Sequence, residues 1–320
     1  MPILQREQKL EPGSTFIGGR IDRCVQQIAG GSRSHVTGLF DHDCVSLNGT
    51  VEINPGKTLR EGDVVSVRFE ANRRYSPRRR PEEQKHRGFS ILFEDADVIV
   101  VDKSAELLTV PTDAREPHTL VYRVTEHVRR TTRGSSALVV HRLDRGVSGL
   151  LVFAKNEDAS ESLQAQFAAH KPDRRYQAFV AGRVTPSTGT YRSYLTTGKN
   201  LSRYSTRDEE KGELAVTHFQ VLGTSKGSDR CGAVSHVDVQ LETGRRNQIR
   251  VHFAEAGHPV IGDQRYRTEL WKDIPWPFKR LALHAATLSF EHPRSGIPHR
   301  FESPLPKELV QLARFAGLQK

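Results

Sequence analysis

A polar, strongly charged stretch at residues 71–89 interrupts the apolar patterning of this chain of 320 residues. It contains two prolines and almost no apolar side chains, so it lacks the residues that a packed helix or strand requires. A chain of this length also exceeds the usual size of one domain. We therefore predict a small module at residues 1–70, a basic linker at residues 71–89 and a larger domain at residues 90–320.

The net charge of +10 indicates a polyanionic partner, because neutralising phosphates releases counterions and favours association. Charge alone does not distinguish RNA from DNA or from a membrane surface. The linker carries seven cations and two anions, roughly half of the excess charge of the chain. It is therefore either a solvated tether or an arm that grips RNA.

Membrane and metal sites are not indicated by the sequence. The longest apolar runs, such as residues 98–101 and 150–154, are far shorter than the roughly 20 residues of a membrane span. The first ten residues lack the apolar segment of a secretory signal, so we expect a cytoplasmic protein. Cys24, Cys44 and Cys231 lie far apart without metal-ligand spacing, which favours reduced thiols and no bound metal.

The first 70 residues predict a compact α+β module. Residues 20–28 carry apolar side chains at helical spacing, and Ser32 is a suitable N-cap for a second short helix up to residue 40. Residues 44–49 alternate toward an Asn-Gly turn, and residues 64–67 read as a strand.

Strand patterns dominate from residue 90 onward. The apolar or alternating segments are residues 91–93, 98–101, 138–143, 149–154, 176–180, 234–241 and 281–290. Two helices are predicted among them, one capped by Asn156 and one over residues 247–256 that ends at Gly257. The fold class is therefore α+β, with a mixed, mainly antiparallel sheet.

One polar loop stands out as a place for chemistry. Residues 138–154 read as a strand, a polar loop that contains glycine, and a second strand, so Asp144 would lie at an exposed turn on a rigid scaffold. A single aspartate in such a loop is more often a turn cap than a catalytic group. The surrounding residues decide between these two interpretations.

The segment His-Arg-Leu-Asp-Arg-Gly-Val-Ser-Gly-Leu-Leu-Val-Phe-Ala-Lys, residues 141–155, closely resembles the signature of the RluA-type family of RNA pseudouridine synthases. Further blocks follow in the order of that family, at residues 91–95, 98–103, 175–180, 241–252, 257–263 and 280–285. The resemblance spans roughly residues 90–306. In addition, residues 20–69 resemble the alpha-L motif, a small RNA-binding module of ribosomal-protein type.

The resemblance implies isomerisation of a uridine within RNA, in which the bond from N1 to the ribose is broken and the base is rejoined through C5. Asp144 matches the catalytic aspartate of the family, which acts either as a nucleophile or by removing a proton from the sugar. Tyr176 matches the tyrosine that stacks on the base and helps to remove the C5 proton; the alternative is a core tyrosine. Arg250 matches the basic partner of the aspartate; the alternative is a solvent-facing helix charge.

Five further residues are predicted to contact RNA: His141, Arg142, Arg145, Arg245 and Arg33. Arg142 corresponds to the residue that fills the space left in the RNA when the uridine is extruded, although a plain phosphate contact is the competing interpretation. Arg33 lies in the alpha-L-like module, whose residues 20–70 hold six cations and seven anions. We therefore expect RNA binding by this module to be weak or confined to one face, and the alternative is a purely structural or vestigial role.

The sequence departs from the family pattern in three places. Gly146-Val147 and Arg246-Asn247 replace the usual residues beside two of the motifs, and Ser104 and Glu106 replace a proline and a glycine. We expect these changes to leave the Asp, Tyr and Arg untouched and to mark a divergent subgroup with its own choice of RNA.

We therefore predict a monomeric RNA-modifying isomerase that needs neither a metal nor an organic cofactor. Large-subunit ribosomal RNA is the preferred partner and transfer RNA the alternative, since both are recognised by shape and splayed loops. One rival hypothesis is a catalytically inactive RNA-binding or ribosome-assembly protein on the same fold. The other is a glycosylase, which would release free base and normally needs a second carboxylate to activate water.

Overall fold

The computed structural model describes residues 3–71, 75, 88–112, 116–131, 134–198, 200–227 and 232–318. The chain forms two compact units, one of Met1–Gln84 with Phe290–Arg300 and one of Lys85–Ser289 with Phe301–Lys320. Most of the predicted linker at 71–89 lies outside the described residues, so the three-part domain division stays a prediction. In the described part of the chain, no helix combines the length and apolar character that crossing a membrane requires.

The first unit is a small α+β fold. Its elements in chain order are β1 (Ile3–Lys9), α1 (Ile21–Ala29), α2 (Arg33–Asp41), β2 (Val45–Leu47), β3 (Thr50–Val51) and β4 (Val64–Glu70). Strand β4 pairs in antiparallel fashion with β1 on one side and β2 on the other. The helices bury Ile21, Val25 and Leu39 against β4, and all three side chains are fully inaccessible.

Local signals in this unit explain most of its elements. The hydroxyl of Ser32 accepts a hydrogen bond from the backbone N–H of His35 at 3.2 Å, which caps α2 as predicted. Asn48 and Gly49 both have positive φ, as the predicted Asn-Gly turn between β2 and β3 requires. Strand β1 was not predicted, because this edge strand is largely exposed and carries no apolar alternation.

The second unit is built on a mixed, mainly antiparallel sheet, which confirms the predicted fold class. Its strands are β5 (Phe89–Glu94), β6 (Val98–Lys103), β7 (Leu138–Val139), β8 (Ser148–Ala154), β9 (Asp173–Ala181), β10 (Thr188–Thr197), β11 (Arg203–Thr206), β12 (Glu213–Thr224), β13 (Val234–Leu241) and β14 (Leu283–Glu291). β15 (Pro298–Glu302) follows, and its bounds, like those of β14, cross from one unit to the other. The helices are α3 (Leu120–Thr131), α4 (Glu157–Ala168), α5 (Gln248–Glu255) and α6 (Lys307–Phe315).

Two groups of antiparallel strands make up this sheet. One group runs β14-β9-β13-β12-β10-β11, and the other consists of β5, β6, β7 and β8. They are joined by a short parallel pairing between β8 and β14, in which Ser148 lies opposite His284 and Gly149 opposite Ala285. The core on this sheet contains fully buried side chains from both groups, including Leu151, Ala178 and Val237.

The predictions for this unit were incomplete in several ways. The two predicted helices are present as α4 and α5, and the side chain of Asn156 accepts from the N–H of Ala159 at 2.9 Å. The expectation of only two helices is wrong, since α3 and α6 also form. Leu120, Val124 and Val128 in α3 show helical spacing that was overlooked. The expected strand at 138–143 is only two residues long, because a loop begins at residue 140.

Strands β10, β11 and β12 were also missed. Strands β10 and β11 are rich in Thr, Tyr and Ser. Strand β12 carries apolar residues in consecutive runs, at 214–216 and 221–222, rather than at every second position. Strand β14 begins at Leu283 rather than at 281.

Substitution of Gly149 tests the parallel joint between β8 and β14. Gly149 has φ of 116°, and an added Cβ would lie 2.2 Å from the carbonyl oxygen of Ala285. We expect Gly149→Ala to lower the free energy of unfolding by about 3 kcal/mol or more, measured by urea denaturation. Gly257→Ala is the matched control, because Gly257 has φ of 83° and open space around it. The control should lose only roughly 1 to 2 kcal/mol from its backbone conformation, and equal losses in the two variants would contradict the steric argument.

Candidate active site

The loop at residues 140–147 holds Asp144 in a defined position between β7 and β8. The hydroxyl of Thr109 donates to the carbonyl of Leu143 at 2.8 Å and accepts from its N–H at 3.2 Å. On the other side of Asp144, the N–H of Leu281 donates to the carbonyl of Gly146 at 3.0 Å. Leu143 itself is buried. The aspartate is therefore anchored on both sides by backbone contacts to other parts of the unit.

Arg250, in the first turn of α5, forms an ion pair with Asp144. Its Nη1 lies 2.9 Å from Oδ2 of Asp144 and also donates to Oδ1 of Asn247 at 2.9 Å. Its Nε and Nη2 donate to the two carboxylate oxygens of Asp263, at 2.7 and 3.0 Å. Among the described residues, Oδ1 of Asp144 accepts no hydrogen bond. That oxygen is available to a substrate.

The charge of Arg250 is strongly stabilised. Burial acts to lower its pKa, but the hydrogen bonds and negative charges of Asp263 and Asp144 outweigh burial, so the net pKa is raised. Asp263 is fully buried and also accepts from the backbone N–H groups of Arg265 and Tyr266. Arg250 is thus a permanent, oriented cation, and its pairing with Asp144 rules out the solvent-facing interpretation.

Tyr176 lies on β9, opposite Val239 of β13 and Ala285 of β14. Only 7% of the residue is exposed. Burial raises its pKa, the negative charge of Asp144 adds to this effect, and the positive charge of Arg174 opposes it. Tyr176 is therefore held as a neutral phenol beside the aspartate.

Asp144, Tyr176 and Arg250 line one open cleft of about 550 Å³. This volume falls in the range of small-molecule sites and is sufficient for a single nucleotide base. Apolar side chains form part of the wall: Val147, Leu241, Ile249 and Leu283. The cleft therefore combines a carboxylate, a phenol and a guanidinium with apolar surface on which a flat ring can rest.

The predicted RNA-contact residues occupy different places. Arg142 and Arg245 line the cleft, and Arg245 is also held by Glu213 at 3.2 Å. Arg145 does not line it, and its Nε donates to the carbonyl of Glu106 at 3.2 Å. Arg33 lies in α2 of the first unit.

His141 lines the cleft but also has a structural role. Its Nε2 accepts from the N–H of Val152 at 3.2 Å, and its ring stacks on Phe167 with centroids 4.5 Å apart. Burial lowers the pKa of His141 to about 3. The imidazole is therefore neutral, and any contact it makes with RNA is not an ionic one.

Two residues that hold Arg250, Asp263 and Asn247, were not predicted from the sequence. Asp263 was noticed only as part of a motif, and a single aspartate after a glycine gives no signal of an ion pair. The change at Arg246-Asn247 replaces none of the Asp, Tyr and Arg, but it lies in contact with one of them, because Nη1 of Arg250 donates to Oδ1 of Asn247 at 2.9 Å. Asn247 has φ of 58°, a conformation that asparagine tolerates better than most residues, and its amide also donates to the hydroxyl of Tyr266 at 3.1 Å.

Asp263→Asn tests how strongly the buried carboxylate supports Arg250. The substitution keeps the shape and an acceptor oxygen but removes the charge that compensates the buried guanidinium. We expect the free energy of unfolding to fall by about 3 kcal/mol, since removing one partner of a buried pair leaves the other uncompensated. Glu269→Gln is the control, because Glu269 is exposed and lies 3.9 Å from Arg267. The control should change stability by less than about 0.5 kcal/mol in the same urea titration, and a loss as small in Asp263→Asn would refute the support role.

Comparison with known proteins agrees with this geometry. The family model described as RNA pseudouridylate synthase matches residues 97–255. The ribosomal large subunit pseudouridine synthase D of Zymomonas mobilis subsp. mobilis is 31% identical over 309 residues, covering 93% of each chain. An uncharacterized RNA pseudouridine synthase of Bacillus subtilis, YlyB, is 33% identical over 284 residues, covering 88% of each chain.

The solved structure of human RNA pseudouridylate synthase domain containing 1 shares the fold, with a TM-score of 0.55 and 26% identity. The match covers 70% of this chain and 87% of that one. With sequence relatives that extend over nearly the whole chain and a fold that a solved synthase shares, the protein belongs to the RNA pseudouridine synthase family and is an isomerase.

Proposed function

We propose that this enzyme converts uridine to pseudouridine in large-subunit ribosomal RNA, with Asp144 as the catalytic carboxylate. The observation that carries the proposal is the ion pair between Asp144 and Arg250 in a cleft that Tyr176 also lines. An anchored carboxylate with one oxygen bound to a guanidinium and the other available can act on a ribose without rearranging its support.

The reaction breaks the bond between N1 of uracil and C1′ of the ribose and forms a bond between C5 and C1′. The proton on C5 leaves and N1 gains one, so no redox change and no net hydrolysis occur. Asp144 either attacks C1′ or removes a proton from the sugar, and either step requires the ionised carboxylate. Arg250 donates to one oxygen of that carboxylate and so orients it. Because the atoms balance without a further reactant, the proposal includes neither a metal nor an organic cofactor.

Tyr176 is proposed to support the detached base. Its ring lies in the wall of the cleft, where it can stack on uracil during the rotation. Because burial raises the pKa of Tyr176, it enters the reaction as a phenol rather than a phenolate. Help in removing the C5 proton therefore requires the phenol oxygen to give up its own proton as it accepts another.

Contacts to the RNA are proposed for Arg142, Arg145, His141, Arg245 and Arg33. Arg142 is exposed at the cleft, which suits a side chain that replaces the extruded uridine in the RNA. Arg245 lies at the same cleft. The module at residues 1–70, joined by the linker at 71–89 to the domain at 90–320, is proposed to add contacts through one face.

The choice of ribosomal RNA rests on relatives, since the curated protein of Zymomonas mobilis is named for the ribosomal large subunit. Transfer RNA is the alternative substrate. We further propose that the enzyme is monomeric and cytoplasmic. An inactive RNA-binding protein is disfavoured because the Asp144–Arg250 pair is intact, and a glycosylase would be recognised by release of free uracil.

Asp144→Asn tests the catalytic assignment. The variant keeps the side-chain size but loses the nucleophilic or basic oxygen, so we expect pseudouridine formation to fall by more than about 1000-fold with RNA affinity nearly unchanged. Asp208→Asn is the control, because Asp208 lies in a turn and pairs with the exposed Lys211. Single-turnover assays with a ribosomal RNA fragment measure both variants, and full activity of Asp144→Asn would refute the mechanism.

The substrate is tested by mapping pseudouridine in total RNA from cells with and without the gene, using carbodiimide-dependent primer-extension stops. We expect one or more stops in large-subunit ribosomal RNA to disappear and to return with the wild-type gene but not with Asp144→Asn. Loss of stops in transfer RNA alone would overturn the ribosomal assignment.

Arg33→Glu tests the RNA role of the first unit. Arg33 is exposed in the first turn of α2, so reversing its charge should leave the fold intact. We expect RNA affinity to fall about threefold to tenfold, since each phosphate contact contributes a share of the counterion release, with kcat unchanged. Glu52→Lys, an equally large change of opposite sign in the same unit, should not weaken binding. Unchanged affinity in Arg33→Glu would show that this position does not contact RNA.

A further inference from the structure

Arg174 occupies a position in the cleft wall that neither the motifs nor the ion pairs of the site explain. It lies on β9 two residues before Tyr176, so both side chains point to the same face of the sheet. Both also line the cleft, and the positive charge of Arg174 acts on Tyr176. Arg174 is 7% exposed, which is unusual for a guanidinium.

Unlike Arg250, this buried cation lacks a carboxylate partner in the described part of the chain. The described residues supply it with a single hydrogen bond, from Nη2 to the carbonyl oxygen of Glu242 at 3.2 Å, and its Nε is buried without a partner. Burial lowers the pKa of Arg174, and the nearby Tyr176 only partly opposes this effect. A charge that is desolvated and not compensated is expected to serve a ligand rather than stability.

The surroundings hold the guanidinium in place without neutralising it. Its Cζ lies 5.4 Å from the ring centroid of Phe167, whose ring also stacks on His141. Gly244 makes room for it, because a Cβ at that position would lie 2.4 Å from Nη1 of Arg174. The cation is therefore oriented in advance, as a binding group should be.

We propose that Arg174 binds a phosphodiester of the RNA adjacent to the target uridine, and so positions the ribose relative to Asp144. A full negative charge is what the guanidinium lacks, whereas uracil is neutral and offers only carbonyl dipoles. The inference rests on the proposed function, since it takes RNA with an extruded uridine as the occupant of the cleft. It makes Arg174 a binding residue that the sequence motifs did not single out.

Two variants and one control separate a phosphate contact from a structural role. Arg174→Met removes the charge and Arg174→Lys retains it. Arg175→Met removes a neighbouring cation that bonds instead to Asp173 and Asp238, each at 3.3 Å. All three are made in the Asp144→Asn background so that bound RNA is not converted, and circular dichroism and thermal melting verify that each variant is folded.

Binding is measured by fluorescence anisotropy with a labelled hairpin of large-subunit ribosomal RNA that carries the mapped uridine, over a series of NaCl concentrations. We expect Arg174→Met to weaken binding by about tenfold or more. The slope of log affinity against log salt should fall in magnitude by about 0.7 to 0.9, as for the loss of one phosphate contact. Arg174→Lys should keep the slope, and Arg175→Met should leave affinity and slope nearly unchanged.

Hairpins with a neutral methylphosphonate on the 5′ or the 3′ side of the uridine identify the phosphate. At one of the two positions, the methylphosphonate should weaken binding to protein that has Arg174. The same hairpin should bind to Arg174→Met as tightly as the unmodified hairpin does. Equal losses in both proteins at both positions, or an unchanged salt slope in Arg174→Met, would overturn the proposal.

Conversion of the unmodified hairpin by the wild-type enzyme is measured in parallel. A slope that depends on Arg174 without conversion would refute the ribosomal assignment and keep the phosphate contact. Conversion with a slope that does not depend on Arg174 would refute the phosphate contact alone.

Discussion

The guanidinium of Arg250 connects two carboxylates that come from separate parts of the chain, and the arrangement of the cleft depends on this connection. Asp263 binds it through two oxygens from a fully buried position, and Asp144 binds it through one. The group of two anions and one cation carries a net negative charge. Such a group persists in a partly buried site only if each charge is matched by geometry and hydrogen bonds. The loop at 140–147, helix α5 and the turn at Asp263 must therefore be placed together, and the sheet is what places them.

Much of the fold could be predicted from the sequence where local rules act alone. The caps at Ser32 and Asn156 and the turn at Asn48-Gly49 depend on one or two side chains bonding to nearby backbone, so their residue types are diagnostic. The strands β10 to β12 could not be predicted in this way. They pair with strands that follow one another along the chain, but their sequences lack the regular aliphatic alternation of a strand with one buried face, so periodicity does not reveal them.

The same division applies to the site. Asp144, Tyr176 and Arg250 were indicated by resemblance to a family, and the structure brings them to one cleft. Asp263 and Asn247 were not indicated, because their importance comes from distances to Arg250 that no local pattern encodes. Arg174 escaped notice for a related reason: on a strand, a charged residue reads as solvent-facing unless its burial is known.

Four arginines place positive charge at the cleft: Arg142, Arg174, Arg245 and Arg250. Burial lowers the pKa of His141 to about 3 and that of His252 to about 4, so both remain neutral near physiological pH. His252 acts through hydrogen bonds to Ser193 and Thr217, at 3.0 and 2.9 Å. The guanidinium groups that line the cleft do not titrate in that range, so they keep their positive charge near neutral pH.

The joint between β8 and β14 has a consequence for how such an enzyme can diversify. At this joint Gly149 lets two backbones approach more closely than any side chain would permit, and buried Ser148 accepts from Arg280 at 2.7 Å. The separation between the aspartate loop and the strands that carry Tyr176 is thus determined by main-chain atoms. Side chains at the rim of the cleft contribute little to that separation, so they are free to change over evolution. A substitution at the rim can therefore change which RNA groups are contacted while the placement of Asp144 relative to Tyr176 stays the same.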